Sequence, residues 1–323
     1  MDKKAYDALV KSIQYHNDRY YNQDDPEITD YEYDQLMREL KAMEREHPEW
    51  VTLESPTQRV GGSPVLNGDK VRHHVHLYSL NDLFSVEEVR DWYIGQMHTP
   101  RVSVQEKIDG LTLALEYRNG KLFLGATRGD GDIGEVVTDN ALTVRGVPSL
   151  LNIPENAGAA PENRLYVRAE AYMPVADYER VNEEQRQMGK KLFANPRNCA
   201  AGSLRVKDPA ITKDRNLCAI SFAILASEGW EDVDTSICPR PGVSETDDLA
   251  LLSILGFDVV TAYTCQGMDE IEAAIKKIGE SRGNLPYWTD GAVIKTDEKS
   301  IQTEYGYTAK FPKHAVAYKY PPE

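Results

Sequence analysis

Apolar side chains recur at helical spacing near the start of the chain. Tyr6, Leu9, Val10, Ile13 and His16 trace one stripe, and Tyr33, Leu36, Met37, Leu40 and Met43 trace a second. The first 70 residues therefore read as two amphipathic helices that can bury their stripes against each other. Thr29, three residues ahead of Glu32, has the spacing of a capping box, and Pro48 marks the end of the second helix. The connection, residues 21–30, carries more aromatic and acidic side chains than a spacer needs. Pro56, Gly61, Gly62, Pro64 and Gly68 make residues 55–69 read as a linker and a candidate hinge.

Beyond residue 100 the period changes from 3.6 to two. Residues 102–106 and 111–117 alternate, and Asn119-Gly120 separates 111–117 from 122–126 with the two-residue spacing of a tight hairpin. Alternation returns in 165–172, and further strands are expected at 219–225, 291–296 and 315–320. Helical patterns are interspersed at 86–97, where Ser85 and Glu88 form a second capping pair, and at 247–255 and 268–278. Hairpin-linked strands with helices between them predict an α+β fold, with a small helical domain over residues 1–70 and an antiparallel-sheet domain over residues 71–323.

The formal net charge of −15 over 323 residues argues, as a total, against a polyanionic partner. Its distribution changes that picture. Residues 185–215 hold eight basic side chains against two acidic ones, whereas residues 227–272 hold Arg240 alone against eleven acids. The acidic stretch is expected to lie away from the chemistry. No apolar run approaches the roughly 20 residues that cross a bilayer, and the opening MDKKAYDALV lacks the apolar core of a signal peptide, so a cytoplasmic protein without a membrane partner is expected. Cys199, Cys218, Cys238 and Cys265 are widely spaced, with no C-x-x-C pair. In Arg72-His73-His74-Val75-His76, strand alternation lets His74 and His76 converge while His73 points away, which is a poor metal site. No metal is expected from a Cys/His cluster.

Gly129-Asp130-Gly131-Asp132-Ile133-Gly134 fits the dinucleotide fingerprint in letters. That fingerprint requires a strand-to-helix turn in a parallel unit, and the hairpin before it predicts antiparallel pairing, so a glycine-rich turn is the expectation. More informative is Glu106-Lys107-Ile108-Asp109-Gly110, at the junction of two strands. A lysine nucleophile needs an unprotonated amine, which desolvation or cationic neighbours favour. Lys295 follows Val293 on one strand face, and Lys319 shares a face with alanines, which suggests that something else fills the space above them.

Lys107-Ile108-Asp109-Gly110 resembles the K-x-D-G signature of nucleotidyltransferases. Ala126-Thr127-Arg128-Gly129-Asp130-Gly131, Arg168-Ala169-Glu170, Asp290-Gly291-Ala292-Val293-Ile294-Lys295, and Ala317-Tyr318-Lys319 resemble its companion motifs, in order. Phe193-Ala194-Asn195-Pro196-Arg197-Asn198, Ala201-Gly202-Ser203-Leu204-Arg205, Tyr21 and Asp30-Tyr31-Glu32-Tyr33-Asp34 are similar to blocks particular to bacterial NAD-dependent DNA ligases. The resemblance implies a helical unit that binds nicotinamide mononucleotide (NMN), followed by an ATP-grasp-like ligase domain. It implies that Lys107 attacks the adenylyl phosphorus of NAD, forms lysyl-AMP and expels NMN, the first step of sealing nicked duplex DNA.

By the same resemblance Glu106 would read the adenine, Arg128 and Glu170 would hold the ribose and metal region, and Ser79 and Leu80 would line the pocket. Lys295 and Lys319 would neutralise phosphate charge with help from Mg²⁺ (or Mn²⁺) near Glu170, and Asp109 would orient the reacting groups. Tyr21, Asp30, Tyr31, Glu32, Tyr33 and Asp34 would grip the NMN half, and Asn22 stands where some relatives have histidine. Arg197 and Arg205 belong to the basic island that would face DNA. The family continues into modules that include a four-cysteine zinc unit, absent from this sequence, so a monomer that adenylates itself without efficient nick sealing is expected. The alternative is an ATP- or GTP-dependent nucleotidyltransferase of the same superfamily; a non-enzymatic DNA-clamping module is a further reading.

Overall fold

The computed structural model describes residues 2–21, 27–51, 55–58, 68–96 and 100–321, with the side chains of residues 17–21, 30, 31 and 34 outside the description. The chain forms two compact units, residues 1–65 and 66–323.

In the first unit, helices α1 (Lys3–Tyr21) and α2 (Asp30–Glu46) bury Tyr6, Ile13, Leu40 and Met43 between them, with Leu9, Val10, Tyr33, Leu36 and Met37 packed alongside. These are the positions of the two apolar stripes. The capping box forms in full: the Thr29 side chain accepts from the Glu32 backbone N–H, and the Glu32 carboxylate accepts from the Thr29 N–H at 2.8 Å. The linker starts later than its composition suggests. Ser55 is buried, and it and Thr57 donate to the Glu44 carboxylate, which also accepts from the Tyr6 hydroxyl at 3.1 Å, so residues 55–58 pack on the helix pair. Residues 59–67 lie outside the described residues, and Gly68 and Asp69, the last two of the candidate hinge, hydrogen-bond with the backbone of Val136.

The second unit contains two sheets and a ribbon. Its strands are β1 (Lys70–Arg72), β2 (Asn81–Leu83), β3 (Val102–Ile108), β4 (Leu111–Arg118), β5 (Lys121–Thr127), β6 (Ile133–Glu135), β7 (Arg164–Tyr172), β8 (Cys218–Glu228), β9 (Ala262–Cys265), β10 (Thr289–Thr296) and β11 (Ala315–Lys319). Its helices are α3 (Val86–Gly95), α4 (Thr138–Ala141), α5 (Val175–Gln187), α6 (Pro196–Leu204), α7 (Pro209–Asp214), α8 (Glu245–Leu255), α9 (Met268–Ser281) and α10 (Lys299–Tyr305). The first sheet has the order β2-β11-β10-β3-β9, the second β5-β4-β7-β8, and β1 pairs with β6. All pairings are antiparallel except β11 with β2. The α+β architecture is therefore as the patterning predicts.

Each sheet buries one face. On the first, Val102, Val104, Ala292, Ile294 and Val316 pack against Val89 and Tyr93 of α3 and Ile271, Ile275 and Ile278 of α9. On the second, Leu113, Leu115, Leu165, Val167 and Ala169 pack into a core with Val181, Leu204, Leu251, Leu252 and Leu255. Period-two alternation then sends the intervening side chains to the opposite faces, and these border a shared cleft. The β4–β5 turn takes the form that Asn119-Gly120 predicts, with φ of 52° and 77°.

Candidate active site

The chain passes from the first sheet to the second at Asp109-Gly110. A side chain at Gly110 would place its Cβ 2.2 Å from the carbonyl oxygen of Ala171 on β7, so only glycine allows β4 to approach β7 immediately after the crossing. Lys107 stands two residues before this crossing, where the sheets diverge around a cleft of ≈ 870 Å³. Ser79, Leu80, Gln105, Glu106, Lys107, Arg128, Glu170, Lys295 and Lys319 all border it, so elements from residue 79 to residue 319 converge here.

Lys107, Gly291 and Lys319 lie in one row across β3, β10 and β11. An unbroken β10 would turn Asp290 toward the helix-covered face with Ala292. The register shifts between Thr289 and Gly291, and this bulge re-aims the carboxylate. Lys107 Nζ donates to Asp290 Oδ1 and Oδ2 at 2.9 and 3.0 Å, and Lys319 Nζ donates to Oδ2 at 2.5 Å. Burial pushes Asp290 upward, but the Lys107 and Lys319 ammonium groups outweigh it and hold the carboxyl below its ordinary range. Gly291 has a packing role of its own, because a Cβ there would lie 2.2 Å from the Tyr318 carbonyl oxygen.

Lys295 lies apart from this group. It is four residues along β10 from Gly291, about 13 Å at the rise of an extended strand. Its Nζ donates to Glu245 Oε2 at 3.3 Å and to the Phe222 carbonyl at 3.4 Å, and the ammonium lies 5.4 Å from the Phe222 ring centroid. Glu245 opens α8, within the acidic stretch, so that stretch reaches the cleft after all. Lys299 Nζ donates to the other Glu245 oxygen at 2.7 Å and lies 3.2 Å from Asp248 Oδ2. Burial alone would raise Glu245, but Lys295 and Lys299 take it down to about 2.

The second sheet supplies the opposite wall. Arg128 donates to Ser79 Oγ at 2.7 Å, and Arg168 to the Tyr78 carbonyl at 3.1 Å. The Nε atoms of both arginines are buried without a hydrogen-bond partner, donors suited to an anionic ligand. Thr112 donates to Glu170 Oε2 at 3.2 Å, and burial lifts the Glu170 carboxyl to about 7 against the pull of Arg168.

Glu106 borders the cleft but alternates with Lys107, pairs in register with Ala292, and has its carboxylate engaged by the Tyr287 hydroxyl, which donates to it at 2.8 Å. Gln105 shares the Lys107 face and borders the cleft. Strand alternation alone could have placed Gln105 beside Lys107 on one face. Asp290 and Glu245 also went unassigned in the sequence; the first depends on a bulge and the second on a contact across 50 residues.

The remaining expected residues separate by distance. Asp109 lies 3.9 Å from Arg197 Nε, and burial together with the Asp290 charge raises its carboxyl. Arg205 lies 3.7 Å from Glu135 and does not border the cleft. Glu32 spends its carboxylate on the α2 cap, and Tyr33 packs with the helix-pair core. The side chains of Tyr21, Asp30, Tyr31 and Asp34, and all of Asn22, lie outside the described residues. The 129–134 run turns from β5 directly into β6, a strand where the fingerprint requires a helix: a Cβ at Gly129 would sit 1.8 Å from the Ile133 carbonyl oxygen. His73 bonds the Arg128 carbonyl at 3.0 Å, His74 stacks on Tyr166 and His76 pairs with Asp132 at 2.8 Å. Among the described residues no group of three or more His, Cys, Asp or Glu side chains converges to hold a metal ion, and no helix is long and apolar enough to cross a membrane.

Residues 67–323 match the family described as the NAD-dependent DNA ligase adenylation domain, and residues 2–61 the DNA ligase-like, N-terminal NAD+-binding domain. The chain is 45% identical over 325 residues to the DNA ligase of Clostridium kluyveri, covering 99% of this chain and 46% of that protein. It is 42% identical over 328 residues to the DNA ligase of Clostridioides difficile, with the same coverage of both. The chain thus spans about half the length of the curated relatives it matches.

Proposed function

This chain belongs to the NAD-dependent DNA ligase adenylation family, and on that premise we propose that Lys107 becomes adenylated by NAD with release of NMN. The observation that carries the reading is the Lys107–Asp290–Lys319 group beside a cleft large enough for a nucleotide. Lys107 must lose a proton before its nitrogen can attack, and Asp290 stands at hydrogen-bond distance to receive it. Lys319, turning from Asp290 to the substrate phosphate, would neutralise the charge that grows there. That movement also removes one of the two ammonium groups that hold Asp290 low, so the carboxylate becomes a better proton acceptor as substrate binds. Lys107 then forms the N–P bond as the bridging P–O bond breaks, and NMN leaves with the electron pair.

The inner cleft suits the adenosine half. The Phe222 ring offers a stacking surface, Gln105 both a donor and an acceptor, and Lys295 a charged donor. The unpartnered Arg128 and Arg168 Nε donors fit the ribose and phosphate. Glu170 is the carboxylate that, with phosphate oxygens, suits Mg²⁺, which would supply further charge neutralisation. The helical domain, residues 1–70, would take the NMN half, and residues 71–323 would carry the adenylation step. In the whole protein the acceptor is nicked duplex DNA, with Arg197 and Arg205 facing it; a monomer in the cytoplasm completes the reading.

Intact-mass measurement after incubation with NAD and Mg²⁺ should show one added AMP and an equivalent of free NMN, with ATP giving no adduct. Equal use of ATP and NAD would favour the ATP- or GTP-dependent alternative, and no adduct from either would overturn both.

A further inference from the structure

The Glu245 cluster makes no contact with the group proposed to react, yet it is more completely built. Lys295 has two of its three N–H donors committed, to Glu245 and to the Phe222 carbonyl, and its third is left to the cleft that it borders. Glu245 cannot release it by rotation, because its second oxygen is held by Lys299 at 2.7 Å and by Gln302 Nε2 at 2.9 Å, both from α10. Gln302 in turn donates to the Thr296 carbonyl at 2.7 Å, which ties α10 to the end of β10.

We propose that Glu245 is a positioning residue for nucleotide recognition: it holds Lys295 as a charged donor on the cleft wall and so sets the affinity for the nucleotide, not the chemistry at Lys107. This rests on the reading that the cleft takes the adenylyl half of NAD. The groups facing Lys295 are Glu245 from α8, Lys299 and Gln302 from α10, Arg168 from β7, and His314 just before β11, with Asp248 behind Lys299. Glu245 is the carboxylate in direct contact with Lys295. Without its charge, burial and the Lys299 and Arg168 cations all favour a neutral Lys295 amine. Glutamine keeps the shape and the acceptor oxygen for Lys299 and Gln302, but it removes the charge and replaces the oxygen that accepts from Lys295 with an NH2 group.

The test is the NAD dependence of adduct formation, by intact mass, for wild type, Glu245→Gln, Lys295→Met and the double variant across a neutral-to-alkaline pH series. Glu245→Gln should raise KM for NAD about tenfold at alkaline pH, the size of a 1.4 kcal/mol loss, and by less at neutral pH. The rate at saturating NAD should stay near that of wild type. On a Lys295→Met background the Glu245 change should add nothing. An unchanged KM at every pH overturns the proposal, as does a reduced active fraction with normal KM in the remainder, which is what a purely structural role produces. An additional KM rise in the double variant over Lys295→Met overturns it too, and that comparison stands even if Glu245→Gln alone does not fold. A wild type that forms no adduct defeats the underlying reading and this proposal with it; an adduct with unaltered KM defeats this proposal alone.

Discussion

Two clusters of lysine and carboxylate share one cleft, and they are built on opposite principles. In the first, Lys107 and Lys319 share the single carboxylate of Asp290, and the three side chains keep 26%, 24% and 32% of their surface exposed. In the second, Lys295 and Lys299 meet Glu245 and Asp248, whose side chains are 4% and 0% exposed. The first has more cation than anion and is open to solvent, so its pairings can be exchanged for a phosphate at small cost. The second is balanced and enclosed, so each charge depends on its neighbours. Burial pushes Asp248 up to about 6 and His314 down to about 4, while the lysines hold Glu245 near 2. An exchangeable cluster suits chemistry, and a locked one suits positioning.

The contrast breaks most sharply at Lys107. Lys107→Arg keeps a cation beside Asp290 but supplies no amine that can lose its proton near neutral pH, so adduct formation should fall below detection while the thermal transition stays in place. Asp290→Asn should slow adduct formation by about 10²-fold or more, the range of a lost proton acceptor, while costing about 1 kcal/mol of stability or less. Glu245→Ala reverses the proportions. It strands the Lys295 ammonium in a buried site, leaves Lys299 with Asp248 alone, and should cost about 3–5 kcal/mol in denaturant unfolding. Equal stability losses at Asp290 and Glu245 would remove the distinction between the clusters.

Glu170 provides a smaller effect with a definite sign. Its carboxyl is raised from 4.5 to about 7, so between those values the folded chain holds a proton that the unfolded chain has shed. Stability from this group therefore falls as pH rises through that window. Glu170→Gln removes the loss, and the variant should gain on wild type by less than about 3 kcal/mol between the two ends of the window. A constant difference across the series would show that the carboxyl titrates normally. Arg197→Ala, at an exposed side chain 3.9 Å from Asp109, should move stability by no more than about 0.5 kcal/mol.

Much of the first cluster was legible along the chain. Lys107 stands before an Asp-Gly step at a strand end, and Lys319 sits on a face of alanines because that face borders the cleft. The Asn119-Gly120 hairpin and both capping boxes are local devices, and they form where their residues stand. The second cluster was hidden because its pairs join β10, α8 and α10, and no local pattern links Lys295 to Glu245. Helix α6 was not among the expected helices; the Asn195 cap and the burial of Cys199, Ala200 and Leu204 form it. Counting charge by segment misplaced the acidic stretch, because Glu245 and Asp248 turn inward from a run whose other acidic side chains are mostly exposed.

Of the four lysines on this cleft, Lys107 is the one proposed to react. Peptide mapping by mass spectrometry of the chain after exposure to NAD and Mg²⁺ tests it directly. One AMP is expected, on the peptide containing Lys107, with Lys295, Lys299 and Lys319 unmodified. An AMP on any of those three, or an adduct that survives Lys107→Ala, would contradict it.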